Sequence, residues 1–251
     1  MKIKTAIFLI LTVSLVALSG NIFAQKTSVK DILALVDANL TKVQDTTYSA
    51  EVSVVRNGKK IKTMKFEAIL KGLVMKKIIF QSPGDVRGMA VLTTEEGEMY
   101  VYMPSYKRVR RVASHVRNQG FMGTDITAEE MGTASLSSGW EASIQTEDEK
   151  NWVLKMTPKA GTETEFSHMI VTVSKKYKGV EKIESYNAKG KLLKLQTRGE
   201  WQTFGVITIP TFFEYTDMQT GSKTQLRFFG AKVNQGISNS VFTKRSLMRG
   251  E

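Results

Sequence analysis

The residues with the most chemistry in their spacing lie between Met99 and Met131. Lys107, Arg108, Arg110, Arg111 and Arg117 form a basic run with no acid inside it. Tyr100, Tyr102 and Tyr106 interleave with it or precede it. Tyrosine and arginine together suit a boundary between apolar and wet surfaces. The run then gives way to an apolar tip, Gly120-Phe121-Met122-Gly123, and to Thr127 and Glu130, whose spacing is that of a helix-capping box. A cationic arm beside an apolar flap is a device for amphiphiles, with charge for a head group and apolar surface for a tail. It is not a set of catalytic groups.

The rest of the chain offers catalysis little. There are two histidines, His115 and His168, and no cysteine. Thiol nucleophiles, cysteine-ligated metals and lipid attachment to a cysteine are therefore excluded. The acids fall on polar strand faces or in turns, as in Glu95-Glu96 and Glu147-Asp148-Glu149, which fits solvated turns better than an acid/base pair. No nucleophile elbow, P-loop or dinucleotide fingerprint occurs. The expectation is a protein that is not an enzyme and needs no cofactor or metal.

The net charge is +12. Lys2 and Lys4 precede a 13-residue apolar run, Ala6 to Leu18, and a polar stretch ending in Ile22-Phe23-Ala24. As a helix that run spans roughly 20 Å, short of the ~30 Å hydrocarbon core, so residues 1–24 read as a cleaved signal peptide rather than a membrane anchor. Residues 25–251 are then expected as one domain, soluble in the periplasm and monomeric. Export makes nucleic acid a poor partner for the positive charge, and the anionic lipid head groups of a membrane surface or an acidic face of a membrane protein, such as an inner-membrane transporter, better ones.

The elements that must hold the arm and flap follow from hydrophobic period. Ser28 and Asp31 cap a helix over about Val29 to Val43, with Val29, Ile32, Leu33, Val36, Leu40 and Val43 on one face. From Thr47 the period drops to two. Asn57-Gly58 marks a two-residue hairpin, because both positions tolerate positive φ. Strands are expected at Leu73–Gln81, Val86–Thr93, Glu98–Met103, Trp140–Glu147, Asn151–Thr157, His168–Lys175, Val180–Tyr186, Leu192–Arg198, Val206–Thr208, Phe212–Asp217 and Thr224–Val233. Pro104 to Gly139 interrupts them as an irregular lid or binding loop with one helical turn. The fold class is mainly β: one long antiparallel, incompletely closed barrel with an N-terminal helix and a short helical lid.

The same period nominates a cavity wall of Val52, Val54, Met64, Phe66, Leu70, Met75, Met89, Val91, Met99 and Val101. The lid is Phe121, Met122 and Met131, and the docking surface is Lys107, Arg108, Arg110, Arg111 and Arg117. For Leu73–Gln81 and Val86–Thr93 both faces are apolar, and the period leaves the inward face open.

The segment YVYMPSYKRVRRV…FMGTDITAEEM resembles the signature of outer-membrane lipoprotein-sorting proteins of the LolA/LolB-like superfamily, in the branch associated with resistance-nodulation-division type transporters. The helix-then-meander start and the C-terminal Gly236-Ile237…Val241-Phe242-Thr243…Leu247 fit the same branch. The resemblance implies an unclosed barrel wrapped around helices, with a cavity for acyl chains of lipoproteins or other lipids. Three function classes follow: a carrier delivering such cargo towards the outer membrane, a lipid-sensing accessory module of a transporter, and, with least support, an enzyme on lipid or glycan.

Overall fold

The computed structural model describes residues 27–117, 119–128, 130, 135 and 139–249. The expected signal peptide and Met131 lie outside the described residues. Helix α1 spans Val29–Leu40 and starts on the expected box: the Ser28 hydroxyl accepts from the Asp31 N–H, and the Asp31 carboxylate accepts from the Ser28 N–H. It stops three residues before Val43, where the Thr41 N–H and hydroxyl both return to the Asp37 carbonyl.

Thirteen strands follow. The first six are β1 (Asp45–Arg56), β2 (Lys59–Lys71), β3 (Met75–Ser82), β4 (Ala90–Thr93), β5 (Met99–Met103) and β6 (Arg108–Arg111). The other seven are β7 (Trp140–Glu147), β8 (Asn151–Pro158), β9 (His168–Ser174), β10 (Gly179–Tyr186), β11 (Leu192–Phe204), β12 (Ile207–Asp217) and β13 (Lys223–Val233). The hairpin at Asn57-Gly58 is present, with φ of 49° and 71°. The expected strands Val206–Thr208 and Phe212–Asp217 are one, β12, and Val86–Thr93 is strand only from Ala90; two further corrections concern β11 and the basic run. Gly199 does not end β11, which turns at Glu200 (φ 54°) and runs on to Phe204. The basic run is not all loop, since Arg108–Arg111 pairs with Met103–Tyr100 as β6.

All thirteen strands form one antiparallel sheet in the order β6-β5-β4-β3-β2-β1-β13-β12-β11-β10-β9-β8-β7. The sheet is not closed. Its two edges, β6 and β7, are consecutive in the chain, so the segment between them must pass from one edge to the other.

Side-chain alternation gives each face its own cover. On the inner face of β7–β10, α1 lays Ile32 and Val36 against Trp152, Leu154, Met156, Val171 and Val173. On the outer face of β2–β6, the C-terminal segment packs Phe242 and Leu247 over Ala90, Leu92 and Tyr100. That segment is fastened by Asp45, whose carboxylate accepts from the N–H groups of Gln235 at 2.7 Å and Ile237 at 2.9 Å. Fully buried Lys77 donates to the Ser246 carbonyl at 3.1 Å. Among the described residues no helix is long and apolar enough to cross a membrane.

Candidate functional site

Beyond the contacts of α1 with β10 and the start of β12, the inner face of β1–β3 and β11–β13 is not covered by that helix. It opens on a cavity of about 700 Å³. Pockets of roughly 300–1,000 Å³ enclose most of a small-molecule ligand. The wall on one side is apolar: Val52, Met64, Phe66, Ile78 and Phe80, with Leu226 from β13. Cross-strand register fixes this choice of face, pairing Val52 with Met64 and Leu226, and Phe66 with Phe80.

Residues 119–128, in the segment between β6 and β7, form a strap over this face. Phe121 and Met122 pack into the apolar cluster beneath, and the Phe121 ring lies 6.1 Å from that of Phe80. Met122 and Gly123 both take positive φ to make the tip, and a Cβ at Gly120 would collide with the Thr124 carbonyl.

Polar contacts stitch the strap down. Asp125 accepts from the hydroxyls of Ser222 (2.8 Å) and Thr224 (2.7 Å), and Arg56 stands 4.0 Å away. Lys62 donates to the Met122 carbonyl at 2.9 Å. The Thr127–Glu130 box forms as the spacing predicts. Its Glu130 also reaches across the cavity to Lys194 at 2.5 Å. Ser135 donates to Asp37 of α1 at 3.0 Å.

The far wall is polar. Lys194, Gln196 and Arg198 occupy alternate positions of β11 and all line the cavity, with Tyr215 and Phe213 opposite them on β12. With its amide turned so that the oxygen faces these donors, the orientation that satisfies both ends of the group, Gln196 accepts from the Tyr215 hydroxyl at 3.1 Å and from Arg198 at 3.2 and 3.3 Å. Arg198 also stacks over Phe213 at 5.5 Å. Burial pulls the Arg198 guanidinium below its ordinary pKa, and pushes the Tyr48 phenol up to about 12. Lys76, also at the wall, is held down to about 8 by burial. Arg117, Glu163 and Glu165 complete the charged lining.

Of the expected wall, Val52, Met64 and Phe66 line the cavity. Leu70, Met89, Val91, Met99 and Val101 share their cluster and are not among the residues lining the cavity. Val54 is fully buried on the same face without reaching the cavity. Met75 is misplaced by the sequence pattern. It pairs with Lys71 and points to the outer face beneath the C-terminal segment, and Lys76 takes the inward position next to it.

The five basic residues do not form one surface. Strand alternation puts Arg108 and Arg110 on the inner side of the edge, opposite Met103 and Val101. Arg111 goes to the outer side, where it meets Glu98 at 2.9 Å. Lys107 is exposed at a left-handed turn (φ 48°), and Arg117 lines the cavity instead.

The polar ladder Lys194-Gln196-Arg198 and the clasp Asp125 were not expected as site residues. The ladder is hidden because alternation with Leu193 and Leu195 suggests the polar residues face water. The structure inverts that reading.

Comparisons with known proteins agree with this architecture. A DUF1329 family protein from Desulfovibrio piger superposes with a TM-score of 0.78 at 23% identity, over 88% of this chain and 99% of that one. A Vibrio parahaemolyticus domain described as an outer membrane lipoprotein-sorting protein gives 0.77 at 23%, over 87% and 97%. A LolA superfamily protein from Nitrosomonas europaea gives 0.72 at 17%, over 88% and 99%. No curated protein matches the sequence. A family model described as an uncharacterized protein matches residues 72–249. That match takes in most of the sheet and the C-terminal cover, and the chain belongs to the family this model describes, with a LolA superfamily-like fold.

Proposed function

We propose that this chain is a non-enzymatic periplasmic carrier that shelters acyl chains of lipoproteins or of other lipids and delivers them towards the outer membrane. One observation carries the reading. The same inner face is filled by α1 over β7–β10 and left as a cavity of about 700 Å³ under a strap over β1–β3 and β11–β13. A fold of this size has the apolar side chains to fill that space, and leaving it open costs stability. Each methylene taken out of water is worth about 0.8 kcal/mol, so an acyl chain in such a cavity is held without covalent chemistry. The lipoprotein-sorting description of the Vibrio domain and the LolA fold support cargo of this class. The signal-peptide reading of residues 1–24 supports the compartment.

The test has two parts. Native mass spectrometry of protein purified from its own periplasm should find bound lipid or lipoprotein. Vesicle-to-vesicle transfer of that cargo should then be accelerated by the purified protein. Binding without transfer would replace the carrier by a sensing module of a membrane transporter. An empty protein that binds no lipid would end both readings.

A further inference from the structure

The cavity is not uniformly apolar, and its polar wall has an imbalance. Arg198 lines the cavity, and its contacts among the described residues are neutral: the Gln196 oxygen at 3.2 and 3.3 Å and the face of Phe213. Guanidinium groups removed from water normally meet a carboxylate or phosphate, because an uncompensated buried charge is costly. The acid whose field reaches it, Glu130, is already committed to Lys194 at 2.5 Å. Gln196 spends its amide oxygen on orienting Arg198 and on the Tyr215 hydroxyl, which fixes the guanidinium in place. Leu193 and Leu195 take the positions that alternate with the ladder and are not among the cavity-lining residues, so the ladder is not a by-product of amphipathic patterning. Burial lowers the Arg198 pKa, as expected for a cation held against desolvation.

We propose that Arg198 and Lys194 form an anion site for the head of the cargo, so that the preferred ligand is an amphiphile with a carboxylate or phosphate head and its chain along Val52, Phe66 and Phe80. The assignment rests on the carrier reading and narrows it from lipid in general to anionic lipid. Arginine presents a planar fork that matches two oxygens of such a head, and a lysine beside it adds a movable point charge. The head competes with Glu130 for Lys194, and the chain occupies the apolar wall that Phe121 covers.

The experiment uses delipidated, full-length mature protein and probes that share one chain: dodecanoate, dodecanol and dodecyltrimethylammonium, with acetate and inorganic phosphate as chainless anions. Dodecanoate should bind about tenfold or more tighter than dodecanol, the range a charge-assisted hydrogen bond supplies. The cationic probe should bind weakest, and the chainless anions should not displace dodecanoate. R198Q and K194Q should each weaken dodecanoate by more than dodecanol and so narrow the gap between the two probes. Equal affinity for dodecanoate and dodecanol in the unaltered protein would overturn the anion site and leave the carrier reading standing. Failure of every chained probe to bind would overturn both. Displacement by acetate or phosphate alone would show a site for free anions and overturn the amphiphile assignment. If R198Q does not fold, the preference of the unaltered protein and the K194Q variant still decide the matter.

Discussion

The two halves of the sheet present the same inward alternation and spend it differently. Over β7–β10, Leu154, Val171 and Val173 are fully buried beneath α1, which supplies the partner side chains the sheet lacks. Over β1–β3 and β11–β13, the inward positions Val52, Phe66, Phe80 and Leu226 meet a cavity and the tip of the strap. Local sequence does not separate them, because a strand cannot register whether its apolar face will meet a helix or a ligand. The difference lies in what the chain places opposite. A 12-residue amphipathic helix is fixed by its own capping box on one half. On the other, the cover is an irregular segment held by side-chain hydrogen bonds at Asp125, Lys62 and Glu130.

Substitutions of equal chemistry in the two halves are the strongest way to break this contrast. Leu154→Ala should cost about 2–5 kcal/mol, because it removes a fully buried side chain from a close-packed cluster that can relax little. Leu226→Ala should cost about 1 kcal/mol, since that residue already borders open space and loses mainly the transfer contribution. Enlargement should separate them further. V171W should fail to fold or lose about 3 kcal/mol by overpacking, while L226W should keep its stability and lose lipid binding by filling the cavity. Urea denaturation with a lipid-binding assay on the four variants gives the answer. Equal costs in the two halves would mean the cavity wall behaves as ordinary core.

How much of this was legible in the sequence depends on whether the deciding contact is local. The Ser28–Asp31 cap, the Asn57-Gly58 turn and the Thr127–Glu130 box are set within four residues, and all three stand where the spacing predicts. The inward face of β1 and β2 was legible because only one face there is apolar. On β3 both faces are apolar, since the outer one is buried under residues 237–247, far away in sequence. Met75 was therefore put on the wrong side, and half-buried Lys76 and buried Lys77 do not announce which cover each will meet. The ladder Lys194-Gln196-Arg198 was missed for the converse reason: its polar character is the function, and binary patterning assigns polar residues to water. The basic run was read as a single arm because the edge pairing of β6, which sorts its members onto two faces, depends on β5.

The strap offers a sharper, intermediate test. Asp125→Ala removes acceptors for Ser222 and Thr224 and the partner of Arg56. The residues it releases are tied to the sheet and do not belong to it, so the loss should be local. Amide exchange at residues 120–128 should accelerate by about tenfold or more, while global stability falls by about 1–2 kcal/mol. The exchange of α1 should not change. If α1 loosens equally, the two covers act as one unit and the contrast between the halves is weaker than drawn.

A pH series probes the cavity half alone. Lys76 has a folded pKa of about 8 against 10.5 ordinarily, and Tyr48 about 12 against 10.0. Between pH 8 and about 10 the unfolded chain carries a proton on Lys76 that the folded chain lacks, so stability should rise with pH there. Above about 10 the unfolded tyrosine ionises while folded Tyr48 stays neutral, and this contribution falls. K76M should flatten the rise below pH 10 and leave the fall above it. A rise that persists in K76M would assign it to another group.

The smallest expected effect on stability, and the most specific one on function, belongs to the two sheet edges. β6 carries exposed Arg108 and Arg110, and β7 carries exposed Glu141 and Glu147. Charges on an edge strand discourage pairing with a second copy, which is a sufficient reason for either set. A docking role for the basic edge goes further and distinguishes the halves. Replacing Arg108 and Arg110 by Gln should change folding stability by less than about 0.5 kcal/mol, as exposed charges contribute little. On vesicles containing anionic lipid, each basic residue near the surface is worth about 1 kcal/mol, so the double variant should bind roughly 30-fold more weakly at low salt. That gap should shrink as salt shortens the screening length. Arg111 is a poorer choice for this test, because it is engaged with Glu98 on the opposite face at 2.9 Å. Glu141→Gln on β7 serves as the control and should not weaken vesicle binding. Unchanged vesicle binding in the arginine variant, together with new self-association, would leave the basic edge with the protective role alone and move docking elsewhere on the molecule.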